Sequence, residues 1–329
     1  MARVCFIFLM LLSLYPQLFA DDEFIPYRIN FLLENDVLNR TDEDYSSGES
    51  LSAIFYIDTP THYLFNLIQT DEEQADTFVN IAITNQIFTP SDTKTSELIV
   101  DDHPYAGWTY LKIALLKSTT KQLNAISLKV GMVGPSSGSK MIQHNVHKII
   151  GSNEVMGWNN QLHDELGINF QYLYKRHYMV QKIATIESSF TPFIEAQLGN
   201  ISTSVNTGLI IRFGWNIPKD FGFSNIDIGN EDGIPLYNER KRVKQLPWSF
   251  NFNMTLSGSA VARDIFLDGN TFKQSHSVEK ENFVGHFGYG FSTRYNSFVL
   301  EFLGVISSKK FKTAHGNHAV ATTKIAWLF

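Results

Sequence analysis

Alternation of apolar and polar residues is the feature that most restricts what this chain can fold into. It is clearest in 248–257, where Trp, Phe, Phe, Met and Leu alternate with Ser, Asn, Asn, Thr and Ser. Similar alternation runs through 209–216, 286–294 and 319–329. Successive side chains of a β-strand point to opposite faces, so a period of two predicts strands, here in an all-β protein.

Other segments of strand character bring the total to about twelve; they are 27–34, 51–57, 77–88, 105–116, 123–133, 168–175 and 190–200. The apolar faces are broad and aromatic, and aromatic residues make up 13% of the chain. A soluble sandwich would present polar outer faces, whereas a membrane barrel turns its apolar faces to lipid. We therefore predict a single antiparallel transmembrane β-barrel of about twelve strands. The terminal Phe329 is typical of bacterial outer-membrane barrels.

The amino terminus predicts the compartment. Arg3 precedes an apolar run at 6–14, which is too short to span a bilayer, and Ala20 offers a cleavage point. We interpret 1–20 as a secretory signal peptide and 21–329 as the barrel. Cys5, the only cysteine, lies in the signal, which excludes disulfides and cysteine nucleophiles from the mature chain. The net charge of −6 excludes a basic surface for nucleic acid.

One stretch, 134–161, breaks the alternation. After a Gly-Pro-Ser-Ser-Gly turn, residues recur at helical spacing and Gly151 supplies a stop. Gln143 and His147 are four residues apart, so they share one face of the predicted helix, while His144 points about 100° away. The sequence thus predicts a short helix in an extracellular loop.

Strand parity indicates where polar groups gather. If the chain starts at the periplasmic side, the first strand ends outside at Asn35-Asp36 and the second starts outside near 45–48. The third strand then ends outside near Lys94, and the fifth leads into the helix of His147. These clusters should share the outer rim, where functional groups of a barrel are expected.

Each candidate residue has a functional and a structural interpretation. His147 suits a general base at neutral pH, or is a histidine hydrogen-bonded within a loop helix. Asn35 and Asp36 offer oxygen ligands for calcium, or form a turn. Ser46 lacks a Gly-x-Ser-x-Gly elbow, which favours a donor over a nucleophile. Lys94 either stabilises an anion or lies free in solution.

Three further residues have open roles. Asp42 and Asp44 are metal ligands or, in the favoured interpretation, part of a solvated loop. Trp158 anchors the chain at the membrane interface or contacts a ligand.

An ordered set of segments resembles the outer-membrane lipid A 3′-O-deacylases. The segments are Asn35-Asp36, the 44–48 loop, QIFTP at 86–90, DDHPYAGW at 101–108, Gly134-Pro135, Gln143-x-x-x-His147-x-x-x-Gly151, GWNNQL at 157–162 and ARDIFLDGNTF at 262–272. They cover nearly the whole mature chain. The resemblance implies a twelve-stranded monomeric barrel in the bacterial outer membrane with its site at the extracellular rim.

The resemblance also implies an activity, the calcium-dependent hydrolysis of the 3′-O-linked acyloxyacyl ester of lipid A, the lipid part of lipopolysaccharide. His147 matches the family's catalytic histidine, and Asn35 and Asp36 match its active-site pair. Ser46 stands where the family usually has threonine, and Gln143 matches a glutamine beside the histidine.

The sequence departs from the family pattern in three places. His103 replaces a frequent arginine. Lys94 matches the family's active-site lysine only with one residue of slack, and the acidic residue after the helix matches Glu154 in an uncertain register. Two rival functions remain: a non-enzymatic pore or adhesin, and an outer-membrane phospholipase with a serine nucleophile.

Overall fold

The computed structural model describes residues 23–36, 44–61, 63–223, 232–245 and 247–329. The predicted signal peptide, with Cys5, and Asp42 lie outside these residues, and the side chain of Asp44 is not described either. No helix in the described ranges is long and apolar enough to cross a membrane.

Strands dominate the described chain. They are β1 Phe24–Asn35, β2 Asp44–Ile57, β3 Asp76–Thr89, β4 Ala106–Ser118, β5 Gln122–Val133, β6 Glu165–Arg176, β7 Tyr178–Ile183, β8 Ile186–Gly199, β9 Ser202–Trp215, β10 Trp248–Asp264, β11 Phe283–Tyr295, β12 Phe298–Ser307 and β13 His318–Leu328. The helices are α1 Ser139–Ile150, α2 Arg240–Gln245 and α3 Ile265–Asp268, with 3-10 turns at Tyr63–Leu67, Pro135–Ser137 and Gly157–Asn160.

The strands form one closed antiparallel barrel. Each pairs with its neighbours in sequence, β1 pairs with β13, and β6 pairs with β8 to close the ring. The short β7 follows β6 after a break at His177 and pairs with the first residues of β8. Twelve strands therefore make the wall, which confirms the predicted fold, and closure leaves no edge exposed to lipid.

The two faces of the wall follow the predicted alternation. Along β10, Phe250, Phe252 and Leu256 are exposed outward, while Asn251 and Asn253 are buried inside. Aromatic side chains form an exposed girdle around the rim where β1 begins and β13 ends, which we call the terminal rim; they include Trp215, Trp248, Tyr295, Phe298 and Trp327. Such a girdle is typical of the membrane interface of outer-membrane barrels.

The lumen is filled from the terminal rim. Residues of the connection between β9 and β10 enter it, and Asp232 pairs with Lys175 on β6 at 3.1 Å and with Lys324 on β13 at 3.2 Å. Phe221 and Ile234 of the same connection join an apolar core cluster inside the wall. Buried charges paired in this way are stabilised by their partners, so the bore is packed at this end.

The opposite rim, which we call the loop rim, is partly covered, and a cavity of about 270 Å³ remains beside the cover. Phe266 of α3 stacks on Phe88 with ring centroids 3.9 Å apart, and a core cluster joins them to Trp108 and Leu162. The apolar cap therefore covers the inner face of β3 and β4 just below this rim.

Two local features differ from the sequence prediction. Residues 45–48, predicted as loop, belong to β2, because Tyr45 pairs with Phe88 and Gly48 with Gln86. The register shifts between Tyr45 and Ser47, so Ser46 is an extra residue in a β-bulge. The sequence analysis also did not single out β12 or β7, whereas the predicted helix and its stop are confirmed by α1 and Gly151.

Candidate functional site

Helix α1 lies on the outside of the barrel wall. Its first residue, Ser139, accepts a hydrogen bond from the Asn85 amide at 2.6 Å, and just before it Ser137 O accepts one from the Thr109 hydroxyl at 2.8 Å. Gly107 makes this approach possible, since a Cβ there would lie 2.3 Å from Ser139 Cβ.

Alternation along the strands identifies the face that α1 covers. Asn85 and Thr109 alternate with Phe88 and Trp108, which belong to the core cluster inside the lumen. Residues of opposite parity point to opposite faces of a strand. The helix therefore sits on the side of β3 and β4 that faces the membrane, at the loop rim.

A cleft of about 380 Å³ opens between α1 and the segment that follows it. Gln143 and His147, the two helix residues predicted to share a face, both line it. The full lining is Pro135, Gly138, Lys140, Met141, Gln143, His144, His147, Glu154, Val155 and Trp158. The structure thus brings Gln143, His147 and Glu154 together around one space. Because Glu154 lines the cleft, the acidic residue of uncertain register is placed beside the histidines.

The local chain fixes the imidazole of His147. Gly151, at φ 73°, ends α1 in a left-handed conformation, and the backbone N–H groups of Gly151 and Ser152 donate to His147 O. The turn brings Asn153 O within 2.6 Å of His147 Nδ1. A carbonyl only accepts, so Nδ1 carries the hydrogen and Nε2 of the neutral ring is left as the basic nitrogen.

Gln143 is held by Trp158. Trp158 Nε1 donates to Gln143 Oε1 at 2.8 Å, and both side chains are buried. Since the amide oxygen is engaged, Gln143 presents its NH₂ group as a donor. Trp158 is only 2% exposed and packs on Tyr105. It is therefore a support of the cleft, and its predicted alternative as an interfacial anchor is wrong.

A second polar group lies on β1 and β2 of the same wall. Asn35 ends β1 opposite Ser47, and the next residue, Asp36, is 2% exposed, with its N–H donating to Ser46 O. The bulge turns both Ser46 and Ser47 outward, and the Ser46 hydroxyl is hydrogen-bonded to that of Thr89.

Thr89 and Ile87 connect this group to the cleft. They share the outward face of β3, and Ile87 packs in one cluster with Trp158 and Ile142 of α1. Asn35, Asp36 and Ser46 are not among the residues that line the cleft. Asn35 and Ser46 occupy the adjacent part of the outer wall, and Asp36 lies next to them at the same rim, so the rim shared by these groups agrees with strand parity.

Lys94 lies beside the cleft and not in its lining. Its side chain is exposed and does not line the cleft, while its backbone N–H donates to Asp92. The loop that carries it is tied to the cleft, because Met156 N–H donates to Thr93 O at 2.9 Å. Lys94 therefore lies in a loop beside the site.

His103, the departure from the family's arginine, faces the other side of the wall. It is 3% exposed and stacks on Phe88 with an angle of 5° between the rings. Burial lowers the pKa of His103 to about 4, so the imidazole is neutral inside the cap at pH 7. It supports the lumen side and does not contact the cleft.

Part of the outer surface of α1 is apolar, beside the exposed Lys140, Asn145 and Lys148. Met141, Val146 and Ile149 are exposed, Ile149 by 84%, and Met156 beside them is exposed as well. These side chains continue the lipid-facing surface of the barrel around the cleft. An apolar surface of this kind on a membrane protein is suited to contact with acyl chains.

The donor set near Asn35 suits a hard cation. Asn35, Asp36 and Ser46 offer amide, carboxylate and hydroxyl oxygens, the ligand types that calcium prefers. Across the ranges that the structure covers, no three His, Cys, Asp or Glu side chains form a metal-binding group. A calcium site here would thus depend on amide, hydroxyl, backbone or water oxygens besides the carboxylate.

Sequence reasoning missed two groups in this region. One is the Trp158–Gln143 hydrogen bond, and the other is a pair of oxygen-bearing side chains, Glu49 and Asn85, on the outward face below the rim. A carboxylate at an outward position of a strand was the available signal for the second.

Comparisons with known proteins give the family. The family model described as "Outer membrane protein LpxR" matches residues 4–329. The structure of LpxR from Salmonella typhimurium matches with a TM-score of 0.73 and 16% identity, over 92% of this chain and 100% of that one. The β domain of the Bordetella autotransporter Brka reaches a TM-score of 0.44 at 7% identity, over 93% and 99%. No curated protein matches the sequence.

The match to the family model runs through almost the entire sequence, and the twelve-stranded barrel agrees with the structure of the Salmonella protein. The family model places the protein in the bacterial outer membrane. The chain belongs to the LpxR family of outer-membrane proteins.

Proposed function

We propose that the protein is a lipid A 3′-O-deacylase, which hydrolyses the 3′-O-linked acyloxyacyl ester in the outer leaflet and depends on calcium. The observation that carries this proposal is the position of His147. Its Nδ1 is held by Asn153 O, its Nε2 is left as a base, and its cleft opens on the membrane side of the wall. A lipid substrate reaches that side without leaving the leaflet.

In this mechanism His147 Nε2 accepts a proton from a water molecule as the water attacks the ester carbonyl. The tetrahedral oxyanion is stabilised by preorganised donors, for which the Gln143 NH₂ group and the Ser46 hydroxyl are the candidates, with Lys94 as a further cation. Collapse breaks the bond to the sugar oxygen. That oxygen takes the proton back from His147, leaving a free fatty acid and a 3′-hydroxyl group.

Calcium would be held by Asn35 and Asp36, whose oxygens match its preference. When bound, it would supply Lewis-acid polarisation of the ester carbonyl. The residues of the chain do the rest: α1 positions the base, Trp158 orients Gln143, and the exposed Met141 and Ile149 adjoin the acyl chains.

The filled lumen disfavours the pore alternative. Asp232, Lys175 and Lys324 occupy the terminal half, and Phe266 on Phe88 covers the β3–β4 side of the loop rim. Against the phospholipase, the Ser46 hydroxyl is engaged by Thr89, and no histidine that the structure describes is its hydrogen-bond partner. A monomer is expected, because one chain supplies the whole cleft.

Mass spectrometry of lipid A from cells with and without the protein tests the proposal. The protein should remove one acyloxyacyl unit, and His147→Ala should reduce the product at least about 100-fold while the barrel stays folded. His163→Ala is the matched control, since His163 is exposed in the same connection and does not line the cleft.

A calcium chelator should stop the reaction, and added calcium should restore it. Full activity of His147→Ala would contradict its role as the base. Activity that the chelator leaves unchanged would contradict the dependence on calcium. Solute flux without any lipid change would identify a pore. Acyl release from glycerophospholipid, blocked by a serine-reactive inhibitor, would identify a phospholipase.

A further inference from the structure

A carboxylate lies on the membrane-facing side of β2, below the bulge. Glu49 stands between the outward Ser47 and the exposed Leu51, directly opposite Leu33 of β1 and Asn85 of β3. Charged groups on the lipid face of a barrel destabilise it, at a cost that grows with depth. A carboxylate retained there therefore needs a partner.

The amide of Asn85 has its oxygen on the side of β2, the strand that carries Glu49. Its Nδ2 donates to Thr109 Oγ1 at 2.7 Å and to Ser139 Oγ at 2.6 Å, both on the β4 side of β3. The amide oxygen is on the other side of the planar group, so it points toward β2. Asn85 is 7% exposed, and its Oδ1 is buried with no hydrogen-bond partner among the described residues.

The Glu49 carboxylate is also incompletely satisfied. Ser47 hydrogen-bonds to it, but Oε2 is buried and finds no partner in the part of the chain that the structure describes. Side chains directly opposite each other on antiparallel strands have Cβ atoms roughly 5 Å apart. Two buried acceptor oxygens thus face the same space, and an unmet buried acceptor costs about 1–3 kcal/mol.

The surroundings of this space are rich in oxygen. Asn35 is opposite Ser47 and diagonal to Glu49, so its amide lies on the same outward patch. Carboxylate, amide and hydroxyl oxygens together form the ligand set of a hard divalent cation, which takes 6–8 oxygens and accepts water among them. A cation would satisfy both unpartnered oxygens and neutralise the charge on the lipid side.

We propose that Glu49 and Asn85 bind a calcium ion on the outer wall beneath α1, with Ser47 and Asn35 as neighbouring oxygen donors. The inference rests on the calcium dependence proposed above and adds two ligands to it. Through Asn85 the site is joined to Ser139, so the bound ion ties β2 and β3 to the first residue of the helix that carries His147. A proton shared by Glu49 and Asn85 is the competing occupant.

Calcium binding to the purified full-length barrel in detergent, measured by titration calorimetry, tests this site without any assay of activity. Glu49→Gln keeps the shape and removes the charge, so affinity should fall at least about tenfold. Glu73→Gln is the matched control, because Glu73 is exposed in the connection at the terminal rim. Heat-dependent mobility on gels establishes that each variant is folded.

Asn85→Asp separates the two occupants. Asp keeps the size of Asn85 and can accept a hydrogen bond from the Ser139 hydroxyl, while the Thr109 hydroxyl keeps donating to Ser137 O. With a calcium ion present, a second carboxylate raises affinity about threefold or more. With a shared proton, calcium affinity is unchanged and the two facing carboxylates lower the unfolding temperature at neutral pH.

Unchanged calcium binding in Glu49→Gln, or no calcium binding by the wild-type protein, would overturn the site. Calcium binding that depends on Glu49, in a protein that leaves lipid A unaltered, would support the site and refute the proposed function. If the protein deacylates lipid A but its calcium binding does not depend on Glu49, the proposed function is supported and the site at Glu49 is refuted.

Discussion

The two faces of β2–β4 near the loop rim differ from the two faces of the rest of the barrel. Along β10, aromatic residues point to lipid and asparagines point inward. Near the loop rim the order is inverted: Phe88 and Trp108 fill the inside with Phe266, and Asn85, Ser46 and Thr89 face outward beneath and beside α1.

Because of this inversion, the inner and outer faces of the wall have different roles at the loop rim. The apolar inner cluster covers the lumen side of β3 and β4, whereas the polar outer patch gives the membrane side a set of donors and acceptors that lipid would otherwise exclude. Helix α1 makes the patch tolerable, because its Ser139 and Trp158 of the following segment cover Asn85 and Ile87. Function is therefore expected on the outside of the wall, and stability on the inside.

The largest effect should come from moving the helix away from the outer face. In Gly107→Val, a Cβ would lie 2.3 Å from Ser139 Cβ, so α1 must shift away from β4. Deacylation should fall about 100-fold, because small displacements of a catalytic group are costly. The measurement is lipid A mass spectrometry, with limited proteolysis of the 134–164 connection.

Gly285→Val is the control for this substitution. A Cβ at Gly285 meets no heavy atom within 4 Å, so activity should stay near the wild-type level. Wild-type activity in Gly107→Val would show that the docking of α1 on the outer face does not matter.

A smaller effect is expected from Trp158→Phe. The indole N–H is lost and Gln143 Oε1 is left buried without its donor, so the amide is no longer fixed. The turnover rate should decrease about tenfold, consistent with a penalty of about 1–3 kcal/mol for an unsatisfied buried acceptor. Steady-state kinetics on purified lipid A measures the change.

Trp108→Phe makes the same chemical change on the inner face. Within the described ranges Trp108 Nε1 has no hydrogen-bond partner, so only ring packing is lost. Activity should stay within about twofold while the unfolding temperature decreases. Equal losses of activity in the two variants would contradict the division between the faces.

The smallest effect on activity is expected from His103→Phe, and its main effect should be on stability. Burial lowers the pKa of His103 to about 4, below the value near 6.5 of the unfolded chain. Between these values the unfolded chain binds the extra proton, so wild-type stability falls as pH drops from 6.5 to 4, by at most about 3 kcal/mol from this residue.

His103→Phe keeps the stack on Phe88 and should lose this share of the pH dependence, with activity at pH 7 within about twofold. The midpoint of thermal unfolding at pH 7 and pH 4.5, compared between wild type and variant, measures it. An identical pH dependence in both proteins would mean that His103 is not buried in the folded cap.

Local patterns predicted a large part of this molecule. Alternation predicted most wall strands, helical spacing and Gly151 predicted α1, and parity placed Asn35 and His147 at one rim. The mixed pattern of β12, FVLEFLGVIS, gave no clean period of two. Periodicity depends on neighbours in sequence, so it succeeds wherever each face of a strand meets one environment.

Long-range contacts set the rest. The bulge at Ser46 depends on pairing with β3, and the docking of α1 depends on the absence of a Cβ at Gly107. Neither the Trp158–Gln143 bond nor the approach of Asn85 to Glu49 follows from spacing along the chain, because each joins segments distant in sequence. Lys94 illustrates the limit, since parity gave its rim but not its distance from the cleft.

The position of α1 outside the wall has a kinetic consequence. A cleft that opens sideways into a leaflet meets its ligands by lateral diffusion in two dimensions. Occupancy then follows the mole fraction of the lipid among its neighbours, and its bulk concentration is irrelevant. Diluting the lipid with detergent at constant total amount should slow the reaction, whereas diluting the whole suspension with buffer should not.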